Sequence, residues 1–248
     1  MKHTVITSFD KAYYERCGKR FVETFRENWP ESVQLALFPE GFSVEGGSHS
    51  YAEVEGLWQY EQKLTFPLMR GETPGGYNIQ YDARMARKPF IEAHAMKKFG
   101  GKVFWIDADT VTYKKVPESF LDACLPDDKF CCHLGRDWYY TESGFIGFNA
   151  DHPMAQRFME SYLEIFKSGH VFLLERWHDC FAFDKLRQVV QAQGEDIFVN
   201  LAEKVDHGEM HPFVKTLPGE YMDHMKGPRK KRGFSEEHPV EWWKTSQG

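Results

Sequence analysis

The stretch Val103-Phe104-Trp105-Ile106-Asp107-Ala108-Asp109 decides how this chain is read. Four bulky apolar residues in a row, just after Gly100-Gly101, predict a strand over Lys102–Ile106 that is buried on both faces. The strand runs straight into two carboxylates one residue apart. In open α/β sheets, ligands bind beyond the carboxyl ends of the strands. Two carboxylates this close repel one another when ionised. A divalent cation that favours oxygen ligands, Mg2+ or Mn2+, removes that repulsion. D-x-D alone reads equally well as an acidic turn capping the next segment.

Outward from this strand, strand and helix patterns alternate. Residues 4–8 read as a strand. Asp10 caps a helix whose stripe is Tyr13, Cys17, Phe21 and Phe25 at steps of four. Trp29-Pro30 ends that helix, residues 33–38 form a second strand, and residues 41–50 are loop. Residues 82–99 predict a helix stopped by Gly100-Gly101, with Pro89 marking a kink or a new start. Residues 130–134 and 144–149 read as strands. Residues 154–167 form an amphipathic helix with Phe158, Tyr162 and Phe166 inward, and 177–193 are mostly helix. The alternation predicts an α/β sandwich with a largely parallel central sheet. No repeat, low-complexity tract or Ser/Gly-rich linker divides residues 1–248, so the chain is read as one domain.

Composition narrows the classes. With 42% hydrophobic and 16% aromatic residues, the 248-residue chain is no disordered segment. No apolar run approaches the roughly 18–20 residues of a membrane helix. The start, Met1-Lys2-His3-Thr4-Val5-Ile6-Thr7, lacks the apolar length of a signal peptide. Cysteines at 17, 124, 131, 132 and 180 are odd in number and include no C-x-x-C, so reduced thiols in a cytoplasmic protein are expected. The net charge of −6 argues against bulk nucleic-acid binding. The basic cluster Lys226, Arg229, Lys230, Lys231 and Arg232 breaks that trend. No G-x-G-x-x-G, P-loop or G-x-S-x-G occurs. His207 and His211 share metal-pair spacing but read as loop.

The second chemical signal is H-x-x-G-x-x-K at His224, Gly227 and Lys230. An imidazole can complete a metal site begun by carboxylates. Gly permits close backbone approach to a phosphate, and Lys supplies a point charge for it. By itself such a run is usually a solvated basic tail.

D-x-D after an apolar strand, followed much later by H-x-x-G-x-x-K, resembles the GT-A fold glycosyltransferases. The likeness is to glycosyltransferase family 8, the glycogenin and bacterial galactosyltransferase type. It runs through short motifs over residues 5–230. It implies a nucleotide-sugar donor, usually a UDP-sugar, with Mn2+ or Mg2+ bridging its diphosphate. Asp107, Asp109 and His224 would be the metal ligands, with Asp107 also at the donor. Gly227, Lys226 and Lys230 would meet the phosphates, making residues 224–248 a metal- and phosphate-binding turn with a basic tail. Thr7 and Ser8 on the first strand would open onto base and ribose. A basic residue on the helix before D-x-D would face the donor, with Arg84 preferred over Lys88.

Ser143 and Gly144 would sit against the sugar, and Glu142 would bond its hydroxyls. Asp179, in Trp177-His178-Asp179, resembles the family's acidic residue that holds the donor sugar. Cys180 replaces the Gln that usually follows. This leaves open whether configuration is retained, or whether Asp179 is the general base of an inverting reaction. The acceptor is a hydroxyl on a saccharide, lipid or protein, or on a hydroxymethylated base in DNA held by the basic cluster. Two alternatives stay open. Asp107-Ala108-Asp109-Thr110-Val111 matches the opening of haloacid dehalogenase-like phosphatases, with Asp107 as nucleophile and Asp109 as acid/base. That motif normally ends the first strand of its fold. The chain could also bind a nucleotide sugar or nucleic acid without turning it over.

Overall fold

The computed structural model describes residues 2–45, 48–68, 85–136, 139–203 and 213–225. Six strands form one sheet: β1 (His3–Asp10), β2 (Val33–Glu40), β3 (Lys102–Ile106), β5 (Cys131–Leu134), β6 (Glu142–Asn149) and β7 (Phe198–Asn200). Their order is β2-β1-β3-β6-β5-β7. All run parallel except β6, which lies antiparallel between β3 and β5. Two short strands, β4 (Thr110–Thr112) and β8 (Met222–His224), pair separately. The helices are α1 (Lys11–Tyr13), α2 (Lys19–Asn28), α3 (Leu57–Leu68), α4 (Arg87–Phe99), α5 (Phe120–Cys124), α6 (Ala155–Lys167) and α7 (Asp179–Ala192). The expected mostly parallel α/β sheet is present.

β3 explains its own apolar run. Val103 and Trp105 face a cluster with Phe90 and Ile91 of α4, Tyr162 of α6 and Phe183 of α7. Phe104 and Ile106 face the opposite cluster, with Phe21 and Phe25 of α2 and Phe120 of α5. Both faces are therefore dry, as a central parallel strand requires. Gly147 on β6 makes room for this packing, because a Cβ there would lie 2.4 Å from the Phe104 ring. Pro39 has no N–H to give a ladder and sits on β2, an edge strand.

The first helix departs from a simple stripe. Asp10 caps it as expected, accepting the Tyr13 N–H at 2.7 Å. Residues Tyr14–Gly18 then wind as a π-helix. That wider turn rotates the following face, so Tyr13 and Cys17 are half-buried while Phe21, Val22 and Phe25 are buried. The helix expected over 82–99 is described from Arg87, which puts Pro89 in the first turn, where a missing N–H costs nothing. The helix expected from residue 177 starts at Asp179. Strands β4, β7 and β8 have three residues each, too short for a periodic signal. α3 was hidden because its apolar residues at 64, 66 and 68 alternate as in a strand. All five cysteines are free, and Cys124, Cys131 and Cys132 are buried. Among the described residues, no helix is long and apolar enough to cross a membrane.

Candidate active site

The turn after β3 is tight. Asp107 N–H donates to the Gly144 carbonyl at 2.9 Å, and Thr110 N–H donates back to the Asp107 carbonyl at 2.9 Å. β4 follows at once and pairs antiparallel with β8, in a register that sets Thr110 opposite His224. Met225 N–H closes the ladder on the Asp109 carbonyl at 2.9 Å. Residues 115 apart in sequence are thereby joined, with His224 Nε2 3.0 Å from Asp109 Oδ1. The same nitrogen lies 3.5 Å from Asp107 Oδ2. One ligand atom from each of Asp107, Asp109 and His224 falls within 4.8 Å of the others.

Burial opposes a charge on His224, but the carboxylates of Asp109, Glu142 and Asp107 outweigh it and raise its pKa above the ordinary value. Two carboxylates and an imidazole are a donor set that suits Mn2+ or Mg2+. Space for the imidazole is built in. A Cβ at position 144 would lie 2.6 Å from His224 Cε1 and 2.7 Å from Nδ1, so only glycine lets β6 pass there.

Beside this cluster lies a buried lysine. Lys88, in the first turn of α4, places Nζ 3.7 Å from Asp107 Oδ1 and 3.7 Å from Asp179 Oδ2. It donates to the Ser143 carbonyl and lies 4.8 Å from the centre of the Trp105 ring. Burial disfavours its charge, yet Asp107, Asp179 and Glu92 raise its pKa on balance. Asp179 opens α7, and Tyr162 Oη–H donates to its carbonyl at 2.9 Å. Glu142 Oε1 accepts the Gly144 N–H at 3.1 Å and lies 3.8 Å from His224 Nδ1. Its other oxygen lies 3.8 Å from Arg136 Nη1.

Arg136 also donates to the Tyr140 carbonyl at 2.6 Å. Thr141 is tied to Asp184 of α7 through its N–H and its hydroxyl, both at 2.7 Å. Asp107, Asp109, Arg136, Thr141, Glu142, Ser143, Asp179 and His224 line a cavity of about 290 Å³. Among the described residues, the lining carboxylates Asp107, Asp109, Glu142 and Asp179 outnumber the permanent cations, Arg136 in the lining and Lys88 buried beside Asp107 and Asp179.

Of the expected residues, Asp107, Asp109, His224, Glu142, Ser143, Asp179 and Lys88 meet here. Gly144 touches His224. Lys88 is thus the described basic residue of that helix in the site. Arg84, Lys226, Gly227, Lys230 and the basic cluster lie outside the described residues, as do His207 and His211. Thr7 is buried on β1, its hydroxyl without a hydrogen-bond partner among the described residues. Ser8 is half-buried there, and neither residue lines the cavity.

Sequence reasoning passed over Tyr13 as a residue of the site. Tyr13 lines the cavity, its phenol pushed up by burial and then by Asp109. Tyr139, Tyr140 and His178 form an aromatic side, with the Tyr140 and His178 rings stacked at 5.7 Å. Tyr139 and Tyr140 belong to the aromatic run Trp138-Tyr139-Tyr140, whose sequence suits sugar or base stacking as well as packing. β3 is the third strand in the chain, whereas the motif of the phosphatase alternative ends the first strand of its fold.

No protein-family model matches the sequence, and no curated protein matches it. Solved structures do match the fold, which is that of the GT-A glycosyltransferases. A glycosyltransferase involved in the glycosylation of the major capsid of PBCV-1 superposes with a TM-score of 0.53 at 12% identity, over 93% of this chain and 99% of that one. Mouse xyloside xylosyltransferase 1 matches with a TM-score of 0.50 at 12% identity, over 81% of this chain and 85% of that one. The bifunctional glycosyltransferase WbbM matches at 0.51 with 13% identity, over 91% of this chain and 46% of that one.

Proposed function

We propose that this chain is a metal-dependent glycosyltransferase, moving a sugar from a nucleoside-diphosphate sugar, of the UDP kind, to a hydroxyl acceptor. The observation that carries the reading is the meeting of Asp107, Asp109 and His224 within 4.8 Å at the carboxyl end of a central strand. Asp107, Asp109 and His224 would hold a Mn2+ or Mg2+ ion, whose charge would offset that developing on a departing diphosphate. Lys88 faces the donor sugar and holds Asp179 in place to accept its hydroxyls. Glu142 braces His224 and borders the sugar beside Ser143 and Gly144. Arg84, Lys226, Gly227 and Lys230 contact the phosphates, while Thr7 and Ser8 approach the base and ribose.

The motifs favour family 8 within the GT-A enzymes. The aromatic side formed by Tyr139, Tyr140 and His178 suits a saccharide acceptor, since sugar rings stack on such faces. The modified-DNA acceptor depends on the basic cluster. A cytoplasmic enzyme fits its free thiols.

The test is a melting-temperature screen of nucleotide sugars with and without Mn2+, followed by assay of nucleotide release. Linkage raises the melting temperature only for a pair that binds together. Absence of any metal-dependent shift across UDP-, GDP- and ADP-sugars overturns the reading. Loss of DNA binding on neutralising Arg229, Lys231 and Arg232 together decides between the acceptors.

A further inference from the structure

Trp105 stands two residues before Asp107 on β3 and is buried. Its indole Nε1–H donates to Asp107 Oδ1 at 2.6 Å. That oxygen is the one 3.7 Å from Lys88 Nζ, while the other, Oδ2, is the one 3.5 Å from His224 Nε2. Asp107 needs such a restraint more than its partners do. Its side chain is 32% exposed, against 3% for Asp109. The terminal torsion of an aspartate is soft, so packing alone does not fix the plane of the carboxylate. The indole N–H fixes it. Its ring also seats the Lys88 ammonium, 4.8 Å from the ring centre, where a cation is attracted to the aromatic face.

We propose that Trp105 is a positioning residue for the metal site. Its N–H turns one Asp107 oxygen toward Lys88 and the other toward His224 and the cation. Its ring face sets the height of Lys88 above the same carboxylate. One side chain thus registers the metal ligands against the lysine that faces the sugar. Outer partners of metal ligands act in this way, fixing the orientation of the group that coordinates. The proposal rests on the metal reading above, and its test separates the two.

Mn2+ binding to the purified, metal-free, full-length protein is measured by the electron paramagnetic resonance signal of the free ion. Each variant's metal-free melting temperature is taken alongside. Trp105→Phe keeps an aromatic body in the core and removes the N–H. Trp105→Tyr is the second variant should the first not fold. Either weakens Mn2+ binding roughly 10- to 100-fold, the usual effect of losing an outer-shell partner. Val103→Ala, on the same buried face, lowers the melting temperature and leaves Mn2+ affinity unchanged. A pure packing role for Trp105 gives the Val103 pattern at both positions and overturns the proposal. Wild-type binding that is abolished by Asp109→Ala but untouched at Trp105 removes this proposal alone. Wild-type protein that takes up no Mn2+ removes the metal reading with it.

Discussion

The two ends of β3 carry opposite solutions to the same problem. At the amino end, Lys102 is fully buried, yet its Nζ lies 2.6 Å from Asp122 and 2.5 Å from Asp127. His3 joins Asp122 at 2.9 Å. The surplus negative charge there is harmless, because the side chains of Asp122 and Asp127 are 48% and 75% exposed and water solvates them. At the carboxyl end, Asp109, Asp179 and Glu142 each keep only 3% of their side chains in solvent. Excess charge without water is costly. The first end is closed and structural; among the described residues the second holds more carboxylates than cations, as a site that takes up a cation would.

The strongest way to break this contrast is Lys88→Met. It leaves Asp107 and Asp179 facing each other without their buried partner, a loss of about 3–5 kcal/mol by analogy with broken buried pairs. Urea denaturation of the metal-free protein reads it, and Mn2+ should return part of the stability. A variant as stable as the wild type would mean that the carboxyl end is not short of positive charge. Next comes Asp109→Asn, which removes charge from the crowded end. Nucleotide-sugar turnover should fall about a hundredfold, near 3 kcal/mol in barrier. The metal-free protein should melt no lower than the wild type. Turnover within twofold of wild type would show that the acidic pair does not hold the metal.

The pH dependence sharpens the comparison. Glu92, one turn after Lys88, is pushed up to about 8, first by burial, with Asp179 and Asp107 opposing the pull of Lys88. Its ordinary value is 4.5, so the folded chain holds the extra proton between those limits. The metal-free protein therefore loses stability as pH rises from about 4.5 to about 8. His224, also raised, acts in the same sense above 6.5. Asp122 behaves in reverse. Burial pushes it up, but hydrogen bonds from Lys102 and His3 leave it below 3.8, so its contribution is present at neutral pH and lost in acid. Denaturation midpoints from pH 5 to 9 should flatten for Glu92→Gln. An unchanged slope would place the alkaline loss elsewhere. The smallest effect belongs to Asp122→Asn, within about 1 kcal/mol of wild-type stability and silent in turnover, because Asp122 is half exposed and Asp127 still pairs with Lys102.

Legibility followed the same divide. β3 was readable to the residue because burial on both faces leaves an unbroken apolar run with a charged end. The approach of His224 was readable as a motif, but its means was not. Strands β4 and β8 have three residues each and owe their existence to pairing across the chain, not to local preference. Arg84 and Lys88 could not be ranked from spacing, since both fall on one helical stripe. The role of Gly144 was also hidden. The sequence shows a missing side chain, and only the imidazole across from it, 2.6 Å from where a Cβ would stand, says what the gap is for.

The β4–β8 ladder sets an order of events in the cell. The acidic pair leaves the ribosome well over a hundred residues ahead of the histidine that faces it, since Asp109 and His224 are 115 positions apart. β4 therefore has no partner strand, and the acidic pair no imidazole beside it, until residues 222–224 have been made.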